Sequence, residues 1–151
     1  MNCSSGDNAT PTVLCFTRYT DPHIDGGHMG TAENKEIVGK ISSGEVGLLD
    51  LWADDGVWII PGMATFRGKR EIAEKLIGPI TDLMASMGRV EVTNMIAEGD
   101  YVVVEQQAED RMTKTGKPYN NTYCMVYKIL DGKIIQLTEY CDTALAKSVF
   151  S

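Results

Sequence analysis

Apolar and polar positions divide the chain into an unpatterned leading segment and a patterned remainder. Residues 1–30 are rich in Ser, Thr, Asn, Asp, Gly and Pro, and their apolar positions follow neither a two-residue nor a 3.6-residue period. We interpret residues 1–30 as an N-terminal extension or tag-like tail. The folded domain is therefore expected at residues 31–151.

The first half of this domain has apolar positions at helical spacing. Thr31 is a candidate N-cap for the first helix, and a short apolar run at 57–60 that ends before Pro61 predicts a strand. Pro79 separates the last two helical stretches. The predicted helices cover residues 31–41, 45–53, 69–77 and 80–87.

After Gly88 the pattern changes from helical spacing to alternation. Short segments that contain Gly with Asp, Glu, Lys or Thr separate four strand-like runs, and such segments favour hairpin turns. The predicted strands cover residues 89–96, 101–113, 119–130 and 133–142. Helices followed by an antiparallel meander predict an α+β domain, in which the helices cover one face of a bent sheet.

The Asp131-Gly132 pair predicts the register of the last hairpin. A two-residue type I′ turn at these positions pairs Leu130 with Lys133 and, by alternation, Cys124 with Glu139. One face then carries Thr122, Cys124, Val126, Ile135, Leu137, Glu139 and Cys141. The other face carries Tyr123, Met125, Tyr127, Gln136, Thr138, Tyr140 and Asp142.

Glu139 is the ionisable carboxylate on the first face, which is largely apolar and is expected to meet the helices. Burial disfavours a charged carboxylate and raises its pKa toward the range of a general acid or base. In the structural alternatives, a one-residue bulge turns Glu139 to solvent or a core Arg pairs with it. We take Glu139 as a candidate catalytic residue.

The strand before this hairpin carries a polar run among valines, and its register decides which side chains join Glu139. With a two-residue Thr115-Gly116 turn, the side chains on the Glu139 face are Glu105, Gln107 and Glu109. With a three-residue loop, they are Gln106, Ala108 and Asp110. A solvated edge is the alternative for the whole run. We take Glu105 and Gln107 as candidates for orienting a substrate or a water molecule.

The second face of the last hairpin is too aromatic for a face that meets only solvent. Its tyrosines, Tyr123, Tyr127 and Tyr140, predict a homodimer interface on the outer side of the sheet.

Composition and charge remove several functional classes. A chain of 151 residues with 43% hydrophobic residues is long enough for one domain with a real core. Its net charge of −7 and scattered basic residues argue against nucleic-acid binding. No apolar run reaches the roughly 20 residues that span a bilayer, and the leading segment lacks a secretory pattern. We expect a cytoplasmic protein without a membrane partner.

Cysteine and histidine positions narrow the chemistry further. The cysteines lack CxxC spacing, so we interpret them as free thiols. Both histidines fall in the predicted tail, which leaves the domain without a histidine for a catalytic triad or a zinc site. We therefore expect chemistry that uses no metal and no organic cofactor. The residues concerned are Cys3, Cys15, Cys124, Cys141, His23 and His28.

Several short segments stand in an order and spacing that carry a family resemblance. They are LWADDGVW at 51–58, PG at 61–62, FRGK at 66–69, IAEGD at 96–100, VVE at 103–105, GKPYNN at 116–121, DGKI at 131–134 and EYCDTA at 139–144. Together they cover about residues 32 to 150 and resemble the SnoaL-like branch of the NTF2-like superfamily. This is the cone-shaped α+β fold of ketosteroid isomerase, polyketide cyclases and limonene epoxide hydrolase.

The resemblance implies N-terminal helices packed on a strongly bent, mainly antiparallel sheet. The cyclases and the epoxide hydrolase place a catalytic Asp on the last strand, and the matching position here is Glu139. Other family positions differ in this chain. The Arg and second Asp of the epoxide hydrolase fall on Gln106 and Ala108, its Tyr and Asn fall on Trp58 and Ile60, and the isomerase base falls on Ile60.

The resemblance also implies a central pocket for an apolar small molecule of ring size. We expect an enzyme of the isomerase, cyclase or hydrolase type with Glu139 as the proton shuttle. One alternative is a non-catalytic ligand-binding protein, and another is a protein-interaction module of the same fold. The predicted substrate-binding residues are Trp52, Trp58, Ile60, Met63, Phe66, Cys124 and Val126.

Overall fold

A computed structural model of the chain describes residues 30–150. The helices are α1 (Thr31–Ser42), α2 (Lys69–Ile72), a π-helical turn (Ala73–Ile77), α3 (Gly78–Leu83) and α4 (Thr143–Phe150). The strands are β1 (Trp52–Ile60), β2 (Ala64–Arg67), β3 (Met84–Ser86), β4 (Arg89–Glu98), β5 (Tyr101–Glu109), β6 (Met112–Thr113), β7 (Thr122–Leu130) and β8 (Lys133–Cys141). Of the predicted tail only Gly30 is described, so the interpretation of residues 1–29 lies outside the structure.

Six strands form one curved sheet in the order β2-β1-β8-β7-β5-β4, and β3 pairs with β6 in a small second sheet. All neighbours in the large sheet are antiparallel except β1 and β8, which run parallel. The predicted α+β class is confirmed. The parallel pair places the first strand of the domain beside the last one, so residues distant in sequence meet at the centre of the sheet.

One face of the sheet packs against the helices and forms the core. Val38 of α1, Ile72 of α2 and Leu76 of the π-helical turn are buried against it. The strand residues buried on the same face are Trp52, Trp58, Ile60, Val102, Val104, Ala108, Tyr123, Met125, Tyr127, Ile129, Ile134 and Leu137. We call this helix-covered side of the sheet the inner face and the opposite side the outer face. No helix within residues 30–150 is long and apolar enough to cross a membrane.

The first predicted helix is confirmed, but the predicted helix at 45–53 is wrong. Asp50 Oδ2 accepts a hydrogen bond of 2.9 Å from the Gly47 N–H, which closes a turn in this segment. The Leu51 carbonyl then accepts a bond of 2.8 Å from Ile134 N–H of β8. Pairing with the sheet therefore overrides the helical spacing of the apolar residues. The N-cap of α1 is Gly30 rather than Thr31.

The helical stretch predicted for 80–87 ends early, and a C-terminal helix was not predicted. Met84 leaves α3 and pairs with Thr113 in the small sheet, so residues 84–86 are a strand. At the other end of the domain, Asp142 Oδ1 accepts hydrogen bonds from Ala144 N–H and Leu145 N–H at 2.9 and 3.0 Å. This carboxylate caps α4, as Asp commonly does at a helix N-terminus.

The predicted register of the last hairpin is correct at the turn and wrong beyond it. Leu130 pairs with Lys133, and Asp131 and Gly132 have φ of 49° and 73°, as a type I′ turn requires. A β-bulge at Ile135 then shifts the pairing by one residue, so that Glu139 lies opposite Met125 instead of Cys124. The physical reason is burial, since the bulge lets the apolar positions of both strands face the core.

The bulge reverses the faces predicted for β7. Tyr123 and Tyr127 lie on the inner face, whereas Cys124 and Val126 lie on the outer face. The central strand β5 takes the second of its two predicted registers, because Gln106 pairs with Tyr123 of the inner face. The placement of Glu105 and Gln107 beside Glu139 is therefore wrong. They pair with Cys124 and Thr122 on the outer face.

Candidate functional site

Glu139 is a carboxylate held inside the domain. Leu137, two residues before Glu139 on β8, pairs with Trp58 of the parallel strand β1. This pairing brings the indole of Trp58 within reach of the Glu139 carboxyl group. Trp58 Nε1 donates a hydrogen bond of 2.9 Å to Glu139 Oε2, and only 9% of Glu139 is exposed. One carboxylate oxygen is therefore fixed by an apolar residue that also shields it from water.

Trp58 is itself held by a second tryptophan. The rings of Trp52 and Trp58 stack with centroids 5.4 Å apart and planes 16° from parallel. Gly56, which lies between them in sequence, allows this arrangement, because a Cβ at that position would collide with Trp52 Nε1. The stacked pair forms a rigid aromatic wall beside Glu139.

The surroundings of Glu139 favour its protonated form. Burial raises the pKa of the Glu139 carboxyl above its usual value, and this effect outweighs three opposing ones. The hydrogen bond from Trp58, the charge of Arg111 and the contact with the Cys141 thiol all lower that pKa. Burial and the neighbouring Glu139 in turn raise the pKa of the Cys141 thiol to about 11, so Cys141 stays protonated.

A chain of polar side chains reaches the inner face near Glu139. Arg111 Nη1 donates a hydrogen bond of 3.0 Å to the Tyr123 hydroxyl. The hydroxyl of Tyr119, whose charge would act on Tyr123, accepts a bond of 3.3 Å from Asn121 Nδ2. Burial raises the pKa of both phenols, and the charge of Glu139 raises it further, so both remain hydrogen-bond donors.

Helix α4 packs over this chain of side chains. Phe150 meets the Tyr119 ring edge to face with centroids 4.6 Å apart, and Ala146 is buried in the same cluster as Tyr119. Asn121 fixes the start of the helix, because its side chain bonds both the N–H and the carbonyl of Asp142 at 3.0 Å. The position of α4 is therefore coupled to that of Tyr119.

The structure brings together part of the predicted site. Trp52, Trp58, Ile60 and Phe66 lie on the inner face with Glu139, as predicted. Met63 does not join them, because it lies in the turn between β1 and β2 and is 40% exposed.

The remaining predicted site residues lie on the other side of the sheet. Glu105, Gln107 and Cys124 line an open groove of about 520 Å³ on the outer face, together with Tyr140. Val126 is on the same face. Their separation from Glu139 follows directly from the bulge in β8, because a shift of one residue exchanges the two faces of β7 and β5.

Sequence reasoning missed Arg111, Tyr119 and Asn121. The alternation of Tyr123, Met125, Tyr127 and Ile129 contains the signal that would have placed β7 correctly, since this series is bulkier and more apolar than its complement. Arg111 follows Asp110, which has a positive φ of 56° and ends the alternation of β5. No pattern in the sequence marks where its side chain lies.

Cysteines and acidic groups offer no metal centre in the described part of the chain. Cys124 and Cys141 are free thiols, as predicted. Within residues 30–150, no group of three or more His, Cys, Asp or Glu side chains could hold a metal ion. The interpretations of Cys3, Cys15, His23 and His28 fall on residues that the structure does not describe.

A family model described as the SnoaL-like domain matches residues 45–137, more than half of the chain. The chain belongs to the SnoaL-like domain family. The match ends before Glu139, so the position of this carboxylate is established by the parallel pairing of β1 and β8. No curated protein matches the chain.

Solved structures share the fold of this SnoaL-like domain. An NTF2-like protein from Burkholderia xenovorans is 23% identical and covers 82% of this chain and 99% of its own, with a TM-score of 0.62. TerC co-crystallised with polyporic acid is 23% identical over 78% of this chain and 98% of its own, with a TM-score of 0.62. A protein with a ketosteroid isomerase-like fold from Catenulispora acidiphila, in complex with trimethylamine, is 22% identical over 70% and 84%, with a TM-score of 0.58.

Proposed function

We propose that this SnoaL-like protein binds an apolar, ring-sized small molecule and acts on it by acid–base chemistry, with Glu139 as the proton shuttle. The observation that carries the proposal is the pairing of Glu139 with Trp58 on the inner face. A carboxylate in such a setting is costly to maintain for structural reasons alone. Buried carboxylates with raised pKa values are characteristic of active sites.

The proposed proton transfer uses the carboxylate oxygen that Trp58 does not hold. In the ionised form, Glu139 Oε1 takes a proton from a carbon or oxygen of the substrate. In an isomerisation or cyclisation it returns that proton at a second position, so the carboxyl group ends the cycle as it began. The bond from Trp58 keeps Oε2 in place during both steps and stabilises the ionised state.

Substrate contact is assigned to the apolar groups around Glu139. Trp58 and Ile60 are buried, and Phe66 is half-buried and pairs with Trp58. These flat and aliphatic side chains are of the kind that line sites for apolar rings. Two proteins of this fold were crystallised with small organic molecules, polyporic acid and trimethylamine. These complexes support the use of the fold for small-molecule binding.

The proposal can be tested before the natural substrate is known. The base-catalysed ring opening of 5-nitrobenzisoxazole is a suitable probe, because the base takes the ring C–H proton, the N–O bond breaks and a coloured phenolate forms. We expect the wild-type protein to accelerate this reaction and Glu139→Gln to lower the rate by about 100-fold or more.

Glu98→Gln is the matched control, because it removes an exposed carboxylate in the β4–β5 hairpin and leaves the inner face unchanged. It should retain the wild-type rate. Equal rates for wild type and Glu139→Gln would contradict the acid–base role. Binding of the probe without any acceleration would instead favour the non-catalytic ligand-binding alternative.

We further propose a homodimer through the outer face, with a surface that differs from the predicted tyrosines. A row of directly paired residues crosses five strands of this face, and its members are Ile59, Thr138, Val126, Val103 and Ile96. Ile96 is 57% exposed, and Tyr140 beside this row is 52% exposed. An apolar row on an uncovered sheet face suits a self-complementary contact with a second copy.

A further inference from the structure

Arg111 is fixed at the edge of the inner face by three hydrogen bonds. Its Nε donates to the Met87 carbonyl at 3.1 Å, and its Nη1 donates to the Tyr123 hydroxyl at 3.0 Å. Its backbone N–H is bonded to Asn120 Oδ1 at 3.0 Å. The side chain is half-buried. These contacts hold the guanidinium in one orientation instead of leaving it to move in solvent.

The Arg111 guanidinium keeps N–H donors that no group within residues 30–150 uses. A guanidinium carries five N–H groups. Within residues 30–150, the guanidinium of Arg111 donates two hydrogen bonds, to the Met87 carbonyl and to the Tyr123 hydroxyl. No carboxylate of the described chain lies within ion-pair distance of Arg111. Arg89, by contrast, pairs with Glu109 and Asp110 at the surface.

The charge of Arg111 acts on Glu139, although the two side chains form no ion pair. It acts on the carboxyl of Glu139 through space, against the effect of burial. No carboxylate within residues 30–150 forms an ion pair with this half-buried guanidinium. An oriented, unpaired guanidinium with free donors is well suited to a bidentate contact with a carboxylate.

We propose that Arg111 binds a carboxylate group of the ligand whose ring lies against the aromatic wall of Trp58. The inference rests on the proposed function and adds the chemical class of the ligand, an aromatic or alicyclic carboxylate. Tyr123 assists, because its hydroxyl accepts from Arg111 and fixes the plane of the guanidinium. In this arrangement Arg111 determines substrate specificity, and Glu139 remains the group that moves the proton.

The test compares acids with their neutral amides. Wild-type protein is titrated with 2-naphthoate and with 2-naphthamide, and the indole N–H signal of Trp58 is followed by NMR, since the chain has only two tryptophans. We expect the acid to bind at least about tenfold more tightly than the amide. Arg111→Gln should remove this preference while the affinity for the amide stays unchanged, and Arg111→Lys should keep part of it.

Arg70→Gln is the matched control, because it removes one exposed positive charge from α2, away from the inner face, and should leave the preference intact. Equal binding of acid and amide by the wild type, or a preference that survives in Arg111→Gln, would overturn the role of Arg111 and leave the proposed function standing. A Trp58 signal that neither probe shifts would overturn both. The wild-type comparison is decisive even where a variant does not fold.

Discussion

At the scale of single residues, the two tryptophans show how similar side chains take different roles. Both are buried and stacked on each other. Trp58 Nε1 donates to Glu139, whereas Trp52 Nε1 is buried without a hydrogen-bond partner among the described residues. A buried donor without a partner lowers stability. Trp52 therefore contributes stacking, and Trp58 contributes stacking and the one direct bond to the carboxylate from β1.

Replacing Trp58 with Phe should raise the pKa of Glu139 further. The substitution removes the hydrogen bond that stabilises the ionised carboxylate and keeps an aromatic ring that excludes water. NMR titration of the Glu139 side-chain carboxyl carbon measures the effect directly. Trp52→Phe is the control, since its indole nitrogen makes no hydrogen bond in the described part of the chain, and it should leave the pKa of Glu139 unchanged. An equal effect of both variants would assign the shift to packing.

At the scale of elements, the local sequence was sufficient where a turn or the spacing of apolar residues decides the structure. The Asp131-Gly132 turn and helix α1 could be predicted from the sequence. Tertiary pairing decided the rest. The segment 45–53 has helical spacing, yet it forms a turn that leads into β1, because Ile134 of β8 bonds the Leu51 carbonyl. The bulge at Ile135 depends on the fit of both strands to the core, which the chemistry of the Asp131-Gly132 turn does not determine.

The consequences of this one bulge explain how much of the site could be predicted. Alternation along β8 alone correctly placed Glu139 on the inner face. Extending the register to the neighbouring strands added Glu105 and Gln107 wrongly and excluded Tyr123. An error in the register of β8 and β7 also displaces β5, which pairs with β7. Only the placement of residues on β8 itself was therefore reliable.

The cap of α4 gives a prediction at the same scale. Asp142→Ala removes the acceptor for two backbone N–H groups and should lower the stability by about 1 kcal/mol in urea denaturation. Because Asn121 ties the same residue to Tyr119, hydrogen exchange should increase in α4 before the rest of the domain. Asp82→Ala, an exposed change in α3, is the control. Unchanged exchange in α4 would contradict a stabilising role of the cap.

At the scale of the whole molecule, the two faces of the sheet carry different groups. The inner face carries Glu139 and the aromatic wall, and the outer face carries the apolar row that includes Ile96 and Val126. The fold as a whole could be predicted because turns, strands and helices stood in a recognisable order. The assignment of residues to faces needed the structure.

The proposed dimer makes a specific prediction. Ile96→Asp places a charge in the apolar row and should convert a dimer into a monomer, as measured by sedimentation at several protein concentrations. Leu83→Asp provides the control, because it places the same charge at an apolar residue of α3 that is 47% exposed and lies outside the sheet. A wild-type protein that sediments as a monomer at all concentrations would contradict the proposed interface.

The central claim is that Glu139 transfers a proton within an apolar site. The most direct test is the pH dependence of 5-nitrobenzisoxazole ring opening by the wild type and by Glu139→Gln. Only the ionised carboxylate acts as the base, so the wild-type rate should rise with pH and level off, with a midpoint above 4.5, the ordinary value for Glu. Glu139→Gln should lack this rise. A wild-type profile that matches that of Glu139→Gln, or a midpoint at or below the ordinary value, would contradict the claim.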